Sequence, residues 1–354
     1  MSGKCALVAG VTGIAGQSVA RNLVEQGFKV YGLSRRSRGV PDGVQHVQAD
    51  LLDPEGIKEA LQGLRPEIVF ITAWIKRDTE KENITVNSAT VQNLLNGLES
   101  AGVRHVALLT GLKHYLGPFD AYGSSVTAET PFHESEPRLP TENFYYNQED
   151  ILFHMTKKLG FTWSVHRAHT IFGFAVDNAM NMTLTLSVYA TICKKLGRKF
   201  IFPGSKAQWN FVTDVTDADL LGEQMLWAAM NPNGENQAFN IANGDVFRWR
   251  WLWPQIAEYF QIEWEGFESE PRPLSEQMKG LETVWEEISL EHGLMESDLS
   301  KLASWWHTDG DLGREIECLT DMNKSREAGF LNFRNTVTSF FDKVERYRAA
   351  KFIP

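Results

Sequence analysis

Apolar and polar positions alternate along the first half of the chain on two different periods. Short, nearly continuous apolar runs read as buried strands: CALVAG (residues 5–10), FKVYGLS (28–34), HVQAD (46–50), EIVFITA (67–73), HVALLTG (105–111) and FTWSVHR (161–167). Between them, amphipathic stretches around 14–26, 54–63, 81–101 and 144–159 read as helices. Strand and helix in alternation predict a parallel sheet covered by helices on both faces. After about residue 170 the pattern loosens. MTLTLSVYATICKKLG (182–197) reads as a helix, FRWRWLWPQIAEYF (247–260) opens with alternating aromatics and continues helically, and 265–328 is mixed and charged, with a helical run around LETVWEEISLEHG. Seven of the eleven tryptophans lie between Trp249 and Trp306, and the stripe Trp249, Trp251, Trp253 reads as core packing. The expected division is a nucleotide-binding unit over 1–170, with contributions from about 208–245, and a substrate lobe from 171–207 and 246–354.

Composition changes this picture little. Of 354 residues, 43% are hydrophobic and 23% charged, enough to bury a sizeable core. A net charge of −10 argues against a protein that grips nucleic-acid backbones. Cys5, Cys193 and Cys318 are far apart and odd in number, which suits reduced thiols. The N-terminal MSGKCALVAGVTG lacks a secretory pattern, and no run approaches the roughly 18 apolar residues of a membrane span. A cytoplasmic protein with no membrane or nucleic-acid partner is expected, in which the sequons at Asn83 and Asn181 are chance matches. His114, His154, His166 and His169 share no ligand spacing with cysteines or carboxylates, so no metal is expected.

The first candidate chemistry lies in LVAGVTGIAGQSVARNL, which sets Gly10, Gly13 and Gly16 between the first strand and the first helix, with Thr12 and Ile14 in the same turn. The first glycine permits the tight turn, the second admits a pyrophosphate to the backbone, and the third lets helix and strand approach. This is the signature of a dinucleotide site, and with the βαβ pattern it predicts a Rossmann-type doubly wound α/β sheet with a smaller, mostly helical C-terminal lobe. An acidic residue at the end of the second strand would favour NAD. Here stand Ser34, Arg35 and Arg36, and guanidinium groups at that corner favour the 2′-phosphate of NADP(H). Asp50 and Leu51 are placed to flank the adenine, and Thr72, Ala73 and Trp74 end the fourth strand at the cofactor edge.

NFYYNQED (143–150) carries a conspicuous gap. Many nucleotide-dependent reductases place a lysine four residues after an active tyrosine, but Tyr145 is followed there by Glu149 and Tyr146 by Asp150. The blocks TGLKHYLGPF (110–119), NFYYNQED, SVHRAHTIFGF (164–174), AFNIANGDVFRW (238–249) and DMNKSREAGFLNFRN (321–335) together resemble the progesterone 5β-reductase and iridoid synthase family of the extended short-chain dehydrogenases/reductases. The resemblance runs almost the length of the chain. It implies that the lysine comes from the TG-x-K-H-Y block, as Lys113, and that Tyr145 is the tyrosine, with Tyr146 the alternative one register away. It also implies Thr110 and Tyr145 beside the cofactor, and Phe119, Phe330 and Phe333 lining a substrate pocket. One departure is Ala168, where the family's block commonly has a proline.

The activity so implied is NADPH-dependent 1,4-reduction of the C=C bond of a hydrophobic enone or enal. Carbonyl reduction or epimerisation, the commoner work of extended reductases, would favour a lysine at 149 or 150. A non-catalytic NADP(H)-binding regulator is the third reading, against which the paired Lys113 and Tyr145 speak. The helices around 81–101 and 144–159 are those through which a homodimer would form.

Overall fold

The computed structural model describes residues 4–118 and 129–354. Its first half is laid down in order: β1 (Cys5–Ala9), α1 (Ile14–Glu25), β2 (Lys29–Ser34), β3 (Val44–Gln48), α2 (Pro54–Ala60), β4 (Ile68–Ile71), α3 (Glu80–Gly97), β5 (His105–Gly111), the single turn α4 (Lys113–Leu116), α5 (Phe144–Leu159) and β6 (Thr162–Ala168). Then follow β7 (Ile171–Phe172), α6 (Met182–Leu196), β8 (Phe200–Ile201), α7 (Lys206–Asn210), β9 (Thr216–Asp217), α8 (Ala218–Met230) and β10 (Gln237–Ile241). The chain ends with α9 (Trp249–Phe260), β11 (Trp264–Glu265), α10 (Leu274–Gln277), α11 (Glu282–His292), α12 (Trp305–Leu312), α13 (Asn323–Glu327) and α14 (Thr336–Ala349).

Seven parallel strands run in the order β10-β6-β5-β4-β1-β2-β3. The uninterrupted apolar character of β1 follows from burial on both sides. Ala6 and Val8 pack with Val19, Leu23, Leu220 and Met225 of α1 and α8, whereas Leu7 and Ala9 face Val91, Leu94 and Leu152 of α3 and α5. Local signals fix the helix ends. Asp53 accepts from Gly56 N–H ahead of Pro54, Thr79 and Glu82 form a capping box, and Gly160 ends α5 in the left-handed region. Ala168 stays in register with Gly111 and Ile241, so the strand continues through the position where a proline was expected.

The second half packs around α6, buried from Met182 to Cys193. Trp253 stacks on Phe200 with ring centroids 4.0 Å apart, and its indole N–H donates to the Phe200 carbonyl at 3.0 Å. The expected stripe is corrected here: α9 begins at Trp249, so helical rather than alternating periodicity buries Trp249 and Trp253 and leaves Trp251 54% exposed. Both sequon asparagines are buried. Asn83 accepts from the Arg77 N–H at 2.7 Å, and Asn181 caps α6 and donates to the Tyr347 hydroxyl at 2.6 Å. Among the described residues no helix is long and apolar enough to cross a membrane, and no cluster of three metal-ligating side chains occurs.

Candidate active site

The strand ends of β1, β2, β4, β5 and β6 open onto one cleft of about 400 Å³, closed on its far side by α12. In a doubly wound sheet this is where ligands bind. Gly10 adopts φ +87°, and a Cβ there would fall 2.8 Å from the Ala73 backbone nitrogen, so only glycine makes this turn. Gly13 is the N-cap of α1, with its N–H donating to the Gly10 carbonyl at 2.9 Å. A Cβ on Gly13 would meet that carbonyl at 3.3 Å and otherwise only the Asn178 amide at 3.9 Å, so the open side of the turn faces the cleft. At Gly16 a Cβ would lie 2.1 Å from the Gly10 carbonyl. Gly16 thus serves helix–strand contact and stands behind the cleft wall, whereas Gly10, Thr12, Gly13 and Ile14 form it. The first N–H groups of α1 have no partner within the helix and present partial positive charge to this space.

Ser34, Arg35, Asp50 and Leu51 form one end of the cleft, and Thr72, Ala73 and Trp74 its floor. The Ser34 hydroxyl donates to the Arg36 carbonyl at 2.7 Å, and Thr72 donates to the Ala9 carbonyl at 2.9 Å. Arg35 is exposed along the cleft edge. Arg36 contributes its carbonyl to the turn and its side chain is exposed; of the two arginines, Arg35 is the one in the cleft lining.

Lys113 and Tyr145 line the opposite end, with Thr110 and Gly111 between them. Lys113 follows directly on β5 and is buried, its ammonium 4.7 Å from the centre of the Phe144 ring and 5.5 Å from that of Trp74. Tyr145 lies in the first turn of α5. Asn143 joins the two: its carbonyl oxygen accepts from the Tyr145 N–H at 3.0 Å, and its amide donates to the Lys113 carbonyl at 2.7 Å. Burial, and then the nearby Glu80 carboxylate, raise the Tyr145 pKa. The hydroxyl is therefore a neutral donor at pH 7.

Tyr146 has another task. Its hydroxyl donates to the His114 carbonyl at 2.6 Å and accepts from the Leu139 N–H at 3.0 Å. Glu149, at the position where a lysine is usual, is buried against Arg138 at 2.9 Å, with Arg167 and His114 each at 3.8 Å. Asp150 is exposed and paired with Arg138 at 2.8 Å.

Two of the three expected pocket residues lie elsewhere. Phe119 falls outside the described residues. Phe330 is a correction: it is 3% exposed and packs on Trp227 with ring centroids 5.5 Å apart, in the core beneath β10 and α8. Phe333 is a second correction, 68% exposed beside Gly244. Helix α13 docks on the edge strand, where Lys324 donates to the Ala238 carbonyl at 2.9 Å, and in the segment after it the Arg334 N–H donates to the Asn243 carbonyl at 2.8 Å, away from the cleft lining.

The wall opposite Lys113 comes from residues that the sequence did not single out: His307 and Asp311 of α12, and Arg314. Arg314 donates to Thr170 at 3.1 Å, meets the Asp311 carboxylate at 3.3 Å and reaches the His169 Nε2 at 3.1 Å. His169 is held from its other nitrogen by Asp214 at 2.6 Å. Burial pushes the Asp311 carboxyl up, but Arg314 outweighs it and the net shift is downward. No local periodicity marks these positions; a buried ion network built from remote segments appears only once the chain is folded.

Comparison with known proteins bears on this geometry. A family profile described as a PRISE-like Rossmann-fold domain matches residues 65–354. The chain is 43% identical to an (S)-8-oxocitronellyl enol synthase of Camptotheca acuminata and 43% identical to a 3-oxo-Δ4,5-steroid 5β-reductase of Arabidopsis thaliana, covering in each case 99% of this chain and 93% of the relative. Among solved structures, the UDP-glucose 4-epimerase of Thermus thermophilus in complex with NAD superposes with a TM-score of 0.69 at 19% identity, over 98% of this chain and 99% of that one, a likeness of fold alone. Near-complete coverage at this identity agrees with the motif blocks: the protein belongs to the PRISE-like Rossmann-fold family, alongside the progesterone 5β-reductases and iridoid synthases.

Proposed function

We propose that the protein reduces the C=C bond of α,β-unsaturated carbonyl compounds, using NADPH. The observation that carries this reading is the meeting of Lys113 and a protonated Tyr145 in the cleft that the glycine turn opens. The related proteins support it: a 3-oxo-Δ4,5-steroid is an enone, and an enol is the first product when hydride adds to the β-carbon of an unsaturated carbonyl.

The residues present fit a dinucleotide. The side-chain-free cradle of Gly10 and Gly13, with the start of α1, suits a pyrophosphate, and Asp50 and Leu51 suit the adenosine end. Arg35 and the lack of a carboxylate at the end of β2 favour a 2′-phosphate. When bound, the reduced cofactor supplies the hydride. Tyr145 donates a hydrogen bond to the carbonyl oxygen and holds the negative charge that gathers there as the β-carbon becomes saturated. Lys113 adds a fixed positive charge at this end of the cleft, and Asn143 fixes the spacing of the two.

The test is turnover of a simple cyclic enone with product analysis. A saturated ketone is expected; an alcohol with the alkene intact would replace this reading with carbonyl reduction. Arg35→Ser is expected to lower kcat/KM for NADPH about tenfold or more relative to NADH, the scale of one charge-assisted contact. An unchanged ratio would remove the argument for NADP.

A further inference from the structure

His307 sits where two recesses meet. It lines the cleft with Lys113 and Tyr145, and it also lines an adjoining recess of about 370 Å³ bounded by Lys76, Arg77, Trp306 and Asp309. Helix α12 carries it on a supported frame: the Trp306 ring meets it edge-on at 5.7 Å, and one turn later Asp311 is held by Arg314 and Thr170. The Nδ1 of His307 is buried and, among the described residues, has no hydrogen-bond partner. Its neighbour in the same wall, His169, shows the usual solution, with Asp214 holding one ring nitrogen and Arg314 the other. A buried polar atom left without a partner is uncommon and marks a place where a ligand can supply one.

The state of the ring follows from its surroundings. Burial, aided by Arg314 and Lys113 against the opposing pull of Asp311, lowers the His307 pKa, so the imidazole is neutral at pH 7. A neutral imidazole offers one donor and one acceptor, and among the described residues no partner at Nδ1 fixes which nitrogen bears the proton. The ring can thus serve a hydroxyl or a carbonyl.

We propose that His307 is a specificity-determining residue: its imidazole hydrogen-bonds a second oxygen function, hydroxyl or carbonyl, on the enone whose first oxygen Tyr145 holds, and the remainder of that substrate extends into the recess lined by Trp306 and Lys76. The proposal rests on the enone-reductase reading. A purely hydrocarbon substrate would leave the imidazole desolvated and unmatched, so the site discriminates against it.

The experiment compares kcat/KM, with NADPH, for trans-octenal and its ω-hydroxy analogue. The wild type is expected to favour the hydroxylated enal by about tenfold, the worth of one neutral hydrogen bond. His307→Phe is expected to bring the ratio to about one, and His307→Gln, which keeps a donor and an acceptor, to retain most of it. A wild type without preference, or a preference that survives His307→Phe, overturns the proposal. Should the phenylalanine variant fail to fold, His307→Leu and the wild-type ratio decide. If the wild type reduces neither enal nor a simple cyclic enone, the enone-reductase reading fails, and this proposal falls with it.

Discussion

Tyr145 and Tyr146 are adjacent in sequence and opposite in use. One lines the cleft, and the other spends its hydroxyl on the His114 carbonyl and the Leu139 N–H. Tyr145→Phe is therefore expected to lower kcat by about 10²–10³, as for removal of one donor to a developing oxyanion, with the melting temperature little changed. Tyr146→Phe should do the reverse, losing about 1–2 kcal/mol in a denaturant titration because two backbone groups lose their partner. Because burial and Glu80 raise the Tyr145 pKa, the donor is present at low and neutral pH and is lost only as pH rises through that raised value. A pH–rate profile should accordingly show no alkaline limb from this group below about pH 10, the ordinary tyrosine value. At this scale the family resemblance supplied the candidate pair, Lys113 and Tyr145, with Tyr146 as the alternative one register away. A one-residue shift on a helix turns a side chain by about 100°, and of the two tyrosines it is Tyr145 that lines the cleft.

Among the elements, α4 and α5 carry the two side chains of the proposed chemistry, and Asn143 is hydrogen-bonded both to the backbone of Lys113 and to that of Tyr145. Asn143→Ala removes a cap worth about 1 kcal/mol and frees the spacing of the pair. The expected result is a modest fall in stability and a larger fall in kcat, read by denaturant titration beside steady-state kinetics. If the two fell in proportion, Asn143 would be a cap and nothing more. The strands and long helices of the first half were legible because each carries its own period and some helices their own cap, as with Thr79 and Glu82 ahead of α3. Helix α12 was not. Its place in the wall depends on Arg314, which pairs with Asp311 and reaches Thr170 across 144 positions of sequence, and no local pattern encodes such a contact. Phe330 and Phe333 show the converse: a motif can be matched correctly and still pack on the edge strand instead of the pocket.

For the whole molecule, the last helix is clasped to the start of α8, beside α1. Lys343 of α14 is buried between Asp217 at 3.0 Å and Asp219 at 2.8 Å, and Arg21 of α1 reaches Asp219 at 3.4 Å. Burial pushes the Asp219 carboxyl up, but Lys343 and Arg346 outweigh it and hold it well below the usual range. A carboxylate with a depressed pKa stabilises the fold above its ordinary value of about 4, and that contribution is lost as the pH falls further. Lys343→Met should cost about 3–5 kcal/mol, since it leaves a buried carboxylate without its cation, and thermal melts at neutral pH would show it. The sheet order has a further consequence. Strand β10 and helix α8 come from beyond residue 170, so a fragment ending there exposes the full edge of β6 and uncovers the α1 face of the sheet. Such a fragment is expected to aggregate, which a sedimentation assay would reveal. The chain crosses between its two halves several times before it ends. They are braided rather than strung together, and a chimera that swaps the lobe of one relative for another must exchange every crossing in a single move.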